Sequence, residues 1–316
     1  MLLNKINEIY KSQVYGRADD NGCVFYFTAS DFEGLKSEAY SFPSCDGHIL
    51  KGSFYYYDGC DESQLVIFDH GMGSGHTGYM KEIVMLARQG YKVFSYDHTG
   101  CMSSGGATTG GFVQSLKDLN DALNALKRDE KYNNLSFSVV GHSWGAFSTM
   151  NICALHPDVS HIVAMSGFIS VKEVLKQFLG PLYKKIYAEE EKNNPEFIGY
   201  NALDSLKNSK VKALIIASDD DKTINCKKHF DVLYRELGGK ENITFLKLSG
   251  KNHNPNYTAE AVKYKDAFFK EYSAVIRKKL LKTQEDKKSF KARFDWDKMT
   301  AQDENVWKKI FEHLDK

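Results

Sequence analysis

Between Gly141 and Gly145 the chain reads Gly-His-Ser-Trp-Gly, with Ser143 at the centre. An apolar, β-branched run at 135–140 leads straight into it, and a helix-like stretch begins at Trp144. A strand turning that sharply into a helix admits only glycine at Gly141 and Gly145, and it pushes the Ser143 Oγ out of the sheet. The helix behind the turn aims its N-terminal N–H groups, and the positive end of its dipole, at any oxyanion forming beside the serine. A Gly-Ser loop gives the same five letters; the strand before and the helix after distinguish a nucleophile from it.

A serine hydroxyl is a poor nucleophile until a base takes its proton, and that base needs a carboxylate to orient it. In the order Ser, Asp, His, both should follow later strands. Asp219, Asp220 and Asp221 follow the apolar run 211–217 and Ser218, while His253 follows the run 243–248 and Ser249-Gly250-Lys251-Asn252. Residue types alone leave the three aspartates equivalent, two of them being turn or cap residues. His70, His98 and His142 are rivals to His253, but they precede or adjoin Ser143. An oxyanion also needs backbone donors held beside the nucleophile. The loop Asp69-His70-Gly71-Met72-Gly73 follows another apolar run, which makes the N–H groups of Met72 and Trp144 the expected oxyanion hole.

A second glycine pattern competes with this reading. Gly73-Ser74-Gly75-His76-Thr77-Gly78 fits G-x-G-x-x-G after a strand. Asp97 ends the next strand about twenty residues on, where a dinucleotide site would place an acid. Residues 69–72 nevertheless separate strand from fingerprint, and nucleotide binding would leave the elbow and His253 without a role. No organic cofactor and no metal site is therefore expected.

Such residues must be brought together by a scaffold, and 316 residues suffice for one large core. Aromatic content of 13% and charged content of 26% describe an ordinary globular protein. A net charge of +1 offers no field for nucleic acid or an anionic membrane. The six cysteines are scattered without C-x-x-C pairs, and residues 1–15 lack a continuous apolar run with a small-residue cleavage site. The expectation is a cytoplasmic protein with reduced thiols, a small-molecule substrate, no nucleic-acid partner and no stable membrane insertion.

Strand-like runs stand at 39–42, 48–57, 65–68, 91–96, 135–140, 162–165, 211–217 and 243–248. The first two flank Asp46-Gly47, a hairpin signal. Most of the others alternate with helical patterns, such as Phe112, Leu116, Leu119, Leu123 and Leu126, which implies a mostly parallel sheet covered on both faces. The alternation breaks at 167–210, where two short helical patterns meet at Gly180-Pro181. An insertion there would lie over the strand C-termini as a small helical lid, with Phe178, Tyr183 and Tyr187 as substrate-binding candidates that select short to medium acyl chains. The same aromatics, with Phe197 and Tyr200, could equally form the insertion's own core. Leu2, Leu3, Ile6 and Ile9 have helical spacing. A long helix at 259–281, a polar stretch at 282–289 and the stripe Val306, Trp307, Ile310, Phe311 and Leu314 complete the chain. The domain reading is an N-terminal segment at 1–36, a main domain at 37–281 and a helical extension at 282–316.

With these motifs in place, residues 37–275 resemble the α/β-hydrolases, in particular esterases and monoacylglycerol-lipase-like serine hydrolases. The resemblance rests on His70-Gly71, the stretch from Gly90 through Asp97 to Ser103, Gly141–Gly145, the Asp turn and His253. It implies an α/β-hydrolase fold with eight strands and a cap after the sixth. The family pattern of an apolar strand followed by Gly-x-x-Asp puts Ser218 at the glycine and Asp221 at the triad acid. It further implies cleavage of carboxylic esters or thioesters through an acyl-enzyme. Amide or peptide cleavage by the same triad, or a non-catalytic binding protein, are the alternatives. Where the family often has Asp-x-Arg-Gly-x-Gly-x-Ser, this chain has Thr99 and Met102 for the arginine and the second glycine, so the network supporting the oxyanion side should differ.

Overall fold

Runs such as Leu65 to Phe68 carry no polar residue on either face, and such a segment is stable only with both faces covered. A computed structural model gives the architecture that follows, with residues 8 and 10–315 described. The helical spacing of Leu2, Leu3, Ile6 and Ile9 lies outside the described residues. The strands are β1 (Lys36–Pro43), β2 (Ile49–Tyr56), β3 (Asp61–Asp69), β4 (Tyr91–Tyr96), β5 (Ser136–His142), β6 (His161–Met165), β7 (Lys212–Ser218) and β8 (Ile243–Leu248). They form one eight-stranded sheet in the order β1-β2-β4-β3-β5-β6-β7-β8. The β1–β2 hairpin forms around the Asp46-Gly47 turn, with Gly47 at φ +80°. Apart from the antiparallel pairs at β2, all neighbours are parallel.

The two faces of the sheet bury separate cores. On one, α1 (Met80–Arg88) and the last helix cover Val66, Phe68, Val163 and Leu214. On the other, α2 (Gln114–Arg128) and α3 (Trp144–Ile152) cover Leu65, Ile67, Val139 and Ile162. Between β6 and β7 lie α4 (Val171–Leu179), α5 (Tyr183–Asn193) and α6 (Ala202–Asn208), with Gly180 at φ +52° ending α4. After β7 comes α7 (Phe230–Leu237), and after β8 the long α8 (Ala259–Arg277), capped by Thr258 Oγ1 accepting from Ala261 N–H.

α8 stops short of residue 281, and the polar stretch after it is helical rather than a linker. Thr283 and Asp286 form a capping box for α9 (Gln284–Lys291), a local signal the polar composition hides. Short α10 (Trp296–Met299) and α11 (Glu304–Leu314) follow, and α11 seats Val306, Trp307, Ile310 and Leu314 on the sheet. A separate aromatic cluster joins the two ends of the chain, with Cys23, Phe268, Phe290 and Met299 buried together and Val24, Tyr272, Phe294 and Trp296 packed around them.

Candidate active site

The turn from β5 into α3 is as crowded as the sequence demands. A Cβ on Gly141 would stand 2.2 Å from Thr149 Oγ1, and one on Gly145 only 2.0 Å from the Asp69 carbonyl oxygen. Ser143 itself has φ 57° and ψ −110°, a left-handed conformation that L-residues adopt at a cost. Its N–H is spent on the Met165 carbonyl at 2.8 Å, which ties the elbow to β6.

His253, on the loop after β8, points its Nε2 at Ser143 Oγ, 2.9 Å away. Its Nδ1 lies 2.8 Å from Asp221 Oδ2. Asp221 is held in turn by the N–H groups of Thr223 and Ile224, which donate to its other oxygen at 2.8 and 2.9 Å. The three aspartates separate by task. Asp219 accepts from the Ser249 hydroxyl at the surface. Asp220 accepts from the N–H groups of Lys251 and Asn252, shaping the loop that carries His253. Only Asp221 reaches the imidazole.

The Met72 and Trp144 N–H groups have no acceptor among the described residues, and Met72 lines the same cavity as Ser143 and His253. Trp144 opens α3, where the first-turn N–H groups have no intrahelical partner.

His142 was weighed in the sequence only as a rival base. It is neutral, its pKa held far below the ordinary histidine value by burial and by the neighbouring His253. A neutral ring has one donor, so Nε2–H donates to the His253 carbonyl at 2.7 Å and Nδ1 accepts from the Tyr79 hydroxyl at 3.0 Å. His142, next to Ser143, thus fixes the backbone of His253, a tertiary contact with no signal in spacing.

The departures around Thr99 and Met102 have structural answers. Thr99 N–H and Oγ1 both donate to Asp118 of α2, at 2.7 and 2.9 Å. Fully buried His98 lies between Asp118 Oδ2 at 3.2 Å and Asp69 Oδ1 at 3.0 Å. Burial alone would strip its proton, but the two carboxylates outweigh that and push its pKa up to about 10. The ring thus sits between two carboxylates beside the Asp69–Met72 loop, surroundings that favour its protonated form. Met102 takes a left-handed φ of 42° where glycine would be easier. It is pinned there by its N–H donating to the Ala18 carbonyl at 2.9 Å and by Arg17 donating to its carbonyl.

The competing glycine pattern wraps a carboxylate belonging to the chain. His76 N–H donates to Asp97 Oδ1 at 2.9 Å, and a Cβ on Gly75 would meet the same oxygen at 2.3 Å. A 3₁₀ turn at His76–Tyr79 runs directly into α1, so the start of that helix already faces this carboxylate. Asp97 occupies the place a pyrophosphate would need.

The substrate-binding candidates are not brought to Ser143. Phe178 is 51% exposed on α4, and Tyr183 and Tyr187 of α5 pack half-buried against the main core, together with Phe197 and Tyr200. Ser143, His142 and His253 instead open into a cavity of about 450 Å³ walled by Tyr26, Phe268, Phe269, Tyr272 and Trp296. Three helices do stand between β6 and β7, and Phe178, Tyr183 and Tyr187 are not part of this cavity's lining. Apolar periodicity marks a buried face without saying what it is buried against. Among the described residues no cluster of histidine, cysteine, aspartate or glutamate could hold a metal ion, and all six cysteines are unpaired.

An eight-stranded, mostly parallel sheet with an elbow serine after β5 defines a class, and comparison with known proteins agrees with it. Residues 61–201 match the family model described as serine aminopeptidase, S33. Among solved structures, the Pyrococcus furiosus esterase Pf2001 is similar over 83% of this chain and 96% of its own, with a TM-score of 0.59 at 20% identity. The α/β-hydrolase GrgF from Penicillium sp. sh18 covers 81% of this chain and 99% of its own, with a TM-score of 0.53 at 15% identity. The esterase domain of a Rhodothermus marinus protein covers 83% and 98%, with a TM-score of 0.51 at 14% identity. No curated protein matches the sequence significantly. The chain has the α/β-hydrolase fold.

Proposed function

We propose that the protein is a serine hydrolase that cleaves carboxylic esters, or thioesters, through an acyl-enzyme. The observation that carries this reading is the continuous chain Ser143 Oγ, His253, Asp221, with contacts of 2.9 and 2.8 Å, set on a strained elbow. His253 Nε2 takes the proton as Ser143 Oγ attacks the carbonyl carbon. The oxygen that becomes anionic is met by the Met72 and Trp144 N–H groups. The same imidazolium gives its proton to the departing alcohol or thiol, leaving Ser143 acylated. Water then repeats the sequence and releases the acid. Asp221 keeps Nδ1 protonated and stabilises the transient charge without itself taking the proton.

The family description names an aminopeptidase, a chemistry that would call for a free carboxylate to hold the substrate ammonium. The cavity carboxylates are engaged within the protein: Asp19 by Arg17, and Asp266 by Asn252 and Lys222. Lys265 adds a like charge to the same cavity. Ester cleavage is therefore favoured over removal of N-terminal residues. Steady-state turnover of 4-nitrophenyl acetate against alanine 4-nitroanilide tests this. The reading predicts ester hydrolysis that Ser143→Ala abolishes without loss of fold. Amide turnover exceeding ester turnover would overturn it.

A further inference from the structure

Much of the wall of the Ser143 cavity comes from two segments, 19–26 and 262–300, both outside the span 61–201 that matches the family model. At the N-terminal side, a strap around residues 17–26 crosses the mouth of the site. Arg17 donates to the Ser104 and Gly106 carbonyls at 3.0 and 2.7 Å, and Ala18 N–H to the Gly100 carbonyl at 2.9 Å. At the other side Asn21 Nδ2 donates to the Tyr272 hydroxyl at 2.9 Å, across 251 positions of sequence. The strap is thus fastened to the loop after β4 at one end and to α8 at the other.

α8 starts just past His253 and runs away from it. Val262, Lys265, Phe269 and Tyr272 recur at helical spacing and line the cavity in that order. At 1.5 Å per residue, Val262 and Tyr272 lie about 15 Å apart along the axis, so the cavity is a trough leading outward from Ser143. Its wall is rich in aromatics, with Phe25 and Tyr26 from the strap, Phe268, Phe269 and Tyr272 from α8, and Trp296 from α10. Phe25 is 36% and Phe269 48% exposed, apolar surface that an empty trough leaves in water. The charged lining is answered inside the protein. Asp19 and Asp266 are paired as described above. Lys265 lies 4.7 Å over the Tyr257 ring, and burial holds its ammonium below the ordinary lysine range against the opposing pull of Glu82.

We propose that this trough binds an elongated, uncharged apolar arm of the substrate, alkyl or aryl, and that the strap at 17–26 together with α8 and α10, rather than the cap, sets arm selectivity. This rests on the serine-hydrolase reading, because the arm is defined by the ester bond at Ser143. The trough does not distinguish an acyl arm from an alcohol arm, so the test uses both 4-nitrophenyl esters of rising acyl length and acetates of rising alcohol length.

Phe25→Ala and Phe269→Ala remove exposed rings and should leave folding intact. In the series that follows the trough, wild type should favour the ten-carbon arm over the shortest. Each variant should lower that preference by about tenfold, the scale of losing contact with a few methylenes. Phe178→Ala and Tyr187→Ala in the cap should leave the preference unchanged. An unaltered preference in both trough variants across both series, or a shift produced by the cap variants instead, would overturn the proposal. Absence of any ester turnover by wild type would contradict the hydrolytic reading and not the trough. In that event titration with 1-decanol decides. A saturable change in tryptophan emission that Trp296→Phe removes supports the trough, and no change overturns it.

Discussion

At the scale of single residues, the site divides labour among side chains that a sequence shows only as letters. Asp221 orients His253, Asp220 shapes the loop, and Asp219 faces solvent. Asp221→Asn should therefore lower kcat by about 10³–10⁴-fold, as loss of the orienting carboxylate does in such triads. Asp219→Asn should leave kcat nearly unchanged, and Asp220→Asn should fall between them. Ester turnover of the three variants checks the ranking. His98 gives a second prediction. Its folded pKa, about 10, stands above the ordinary value of 6.5, so the protonated ring favours the folded state. That contribution is complete below pH 6.5 and is lost as pH rises through about 10. Urea midpoints measured from pH 6 to 10 should fall with rising pH, and His98→Gln should flatten that slope.

Ser143 and His253 were legible because each sits at a local junction, a strand end followed by a glycine-bearing turn. Asp221 was legible only through the family pattern, since three adjacent aspartates present identical chemistry. His142 was not legible as the partner of the His253 carbonyl, because residues that meet at the end of two different strands share no spacing.

Elements carry the next level of constraint. The β5–α3 turn has no room for a side chain at Gly145, where a Cβ would overlap the Asp69 carbonyl. Gly145→Ala should destabilise the protein by about 1–3 kcal/mol, the usual cost of overpacking, and reduce activity by moving the elbow. Comparing urea midpoints of the variant and wild type measures the first, and ester turnover the second. α11 is a packing element, with Trp307 fully buried on the sheet and its Nε1–H donating to Gln302 Oε1 at 2.8 Å. Trp307→Ala should cost about 3–5 kcal/mol by thermal or chemical unfolding.

The strands were readable to within a few residues because each is a short apolar run bounded by turn residues. The apolar stripe of α11 was equally plain. α9 was missed since its helix rests on a capping box and one buried aromatic, Phe290, within an otherwise polar segment.

For the whole molecule, the sheet brings Ser143, Asp221 and His253 together, and residues 19–26 with α8 and α10 wall much of their cavity. The α/β-hydrolase framework positions Ser143, Asp221 and His253 at the C-terminal edge of neighbouring strands. The aromatic cluster of Cys23, Phe268, Phe290 and Met299 joins segments far apart in sequence, so no periodicity could reveal it. Among the described residues no helix is long and apolar enough to cross a membrane.

The central claim is that Ser143 is an activated nucleophile, and reaction with a fluorophosphonate tests it most directly. Wild type should take up a single phosphonyl adduct, mapped by peptide mass to Ser143, at a rate that falls in His253→Ala and vanishes in Ser143→Ala. A folded wild-type protein that stays unlabelled, or one labelled equally well after Ser143→Ala, would contradict the account.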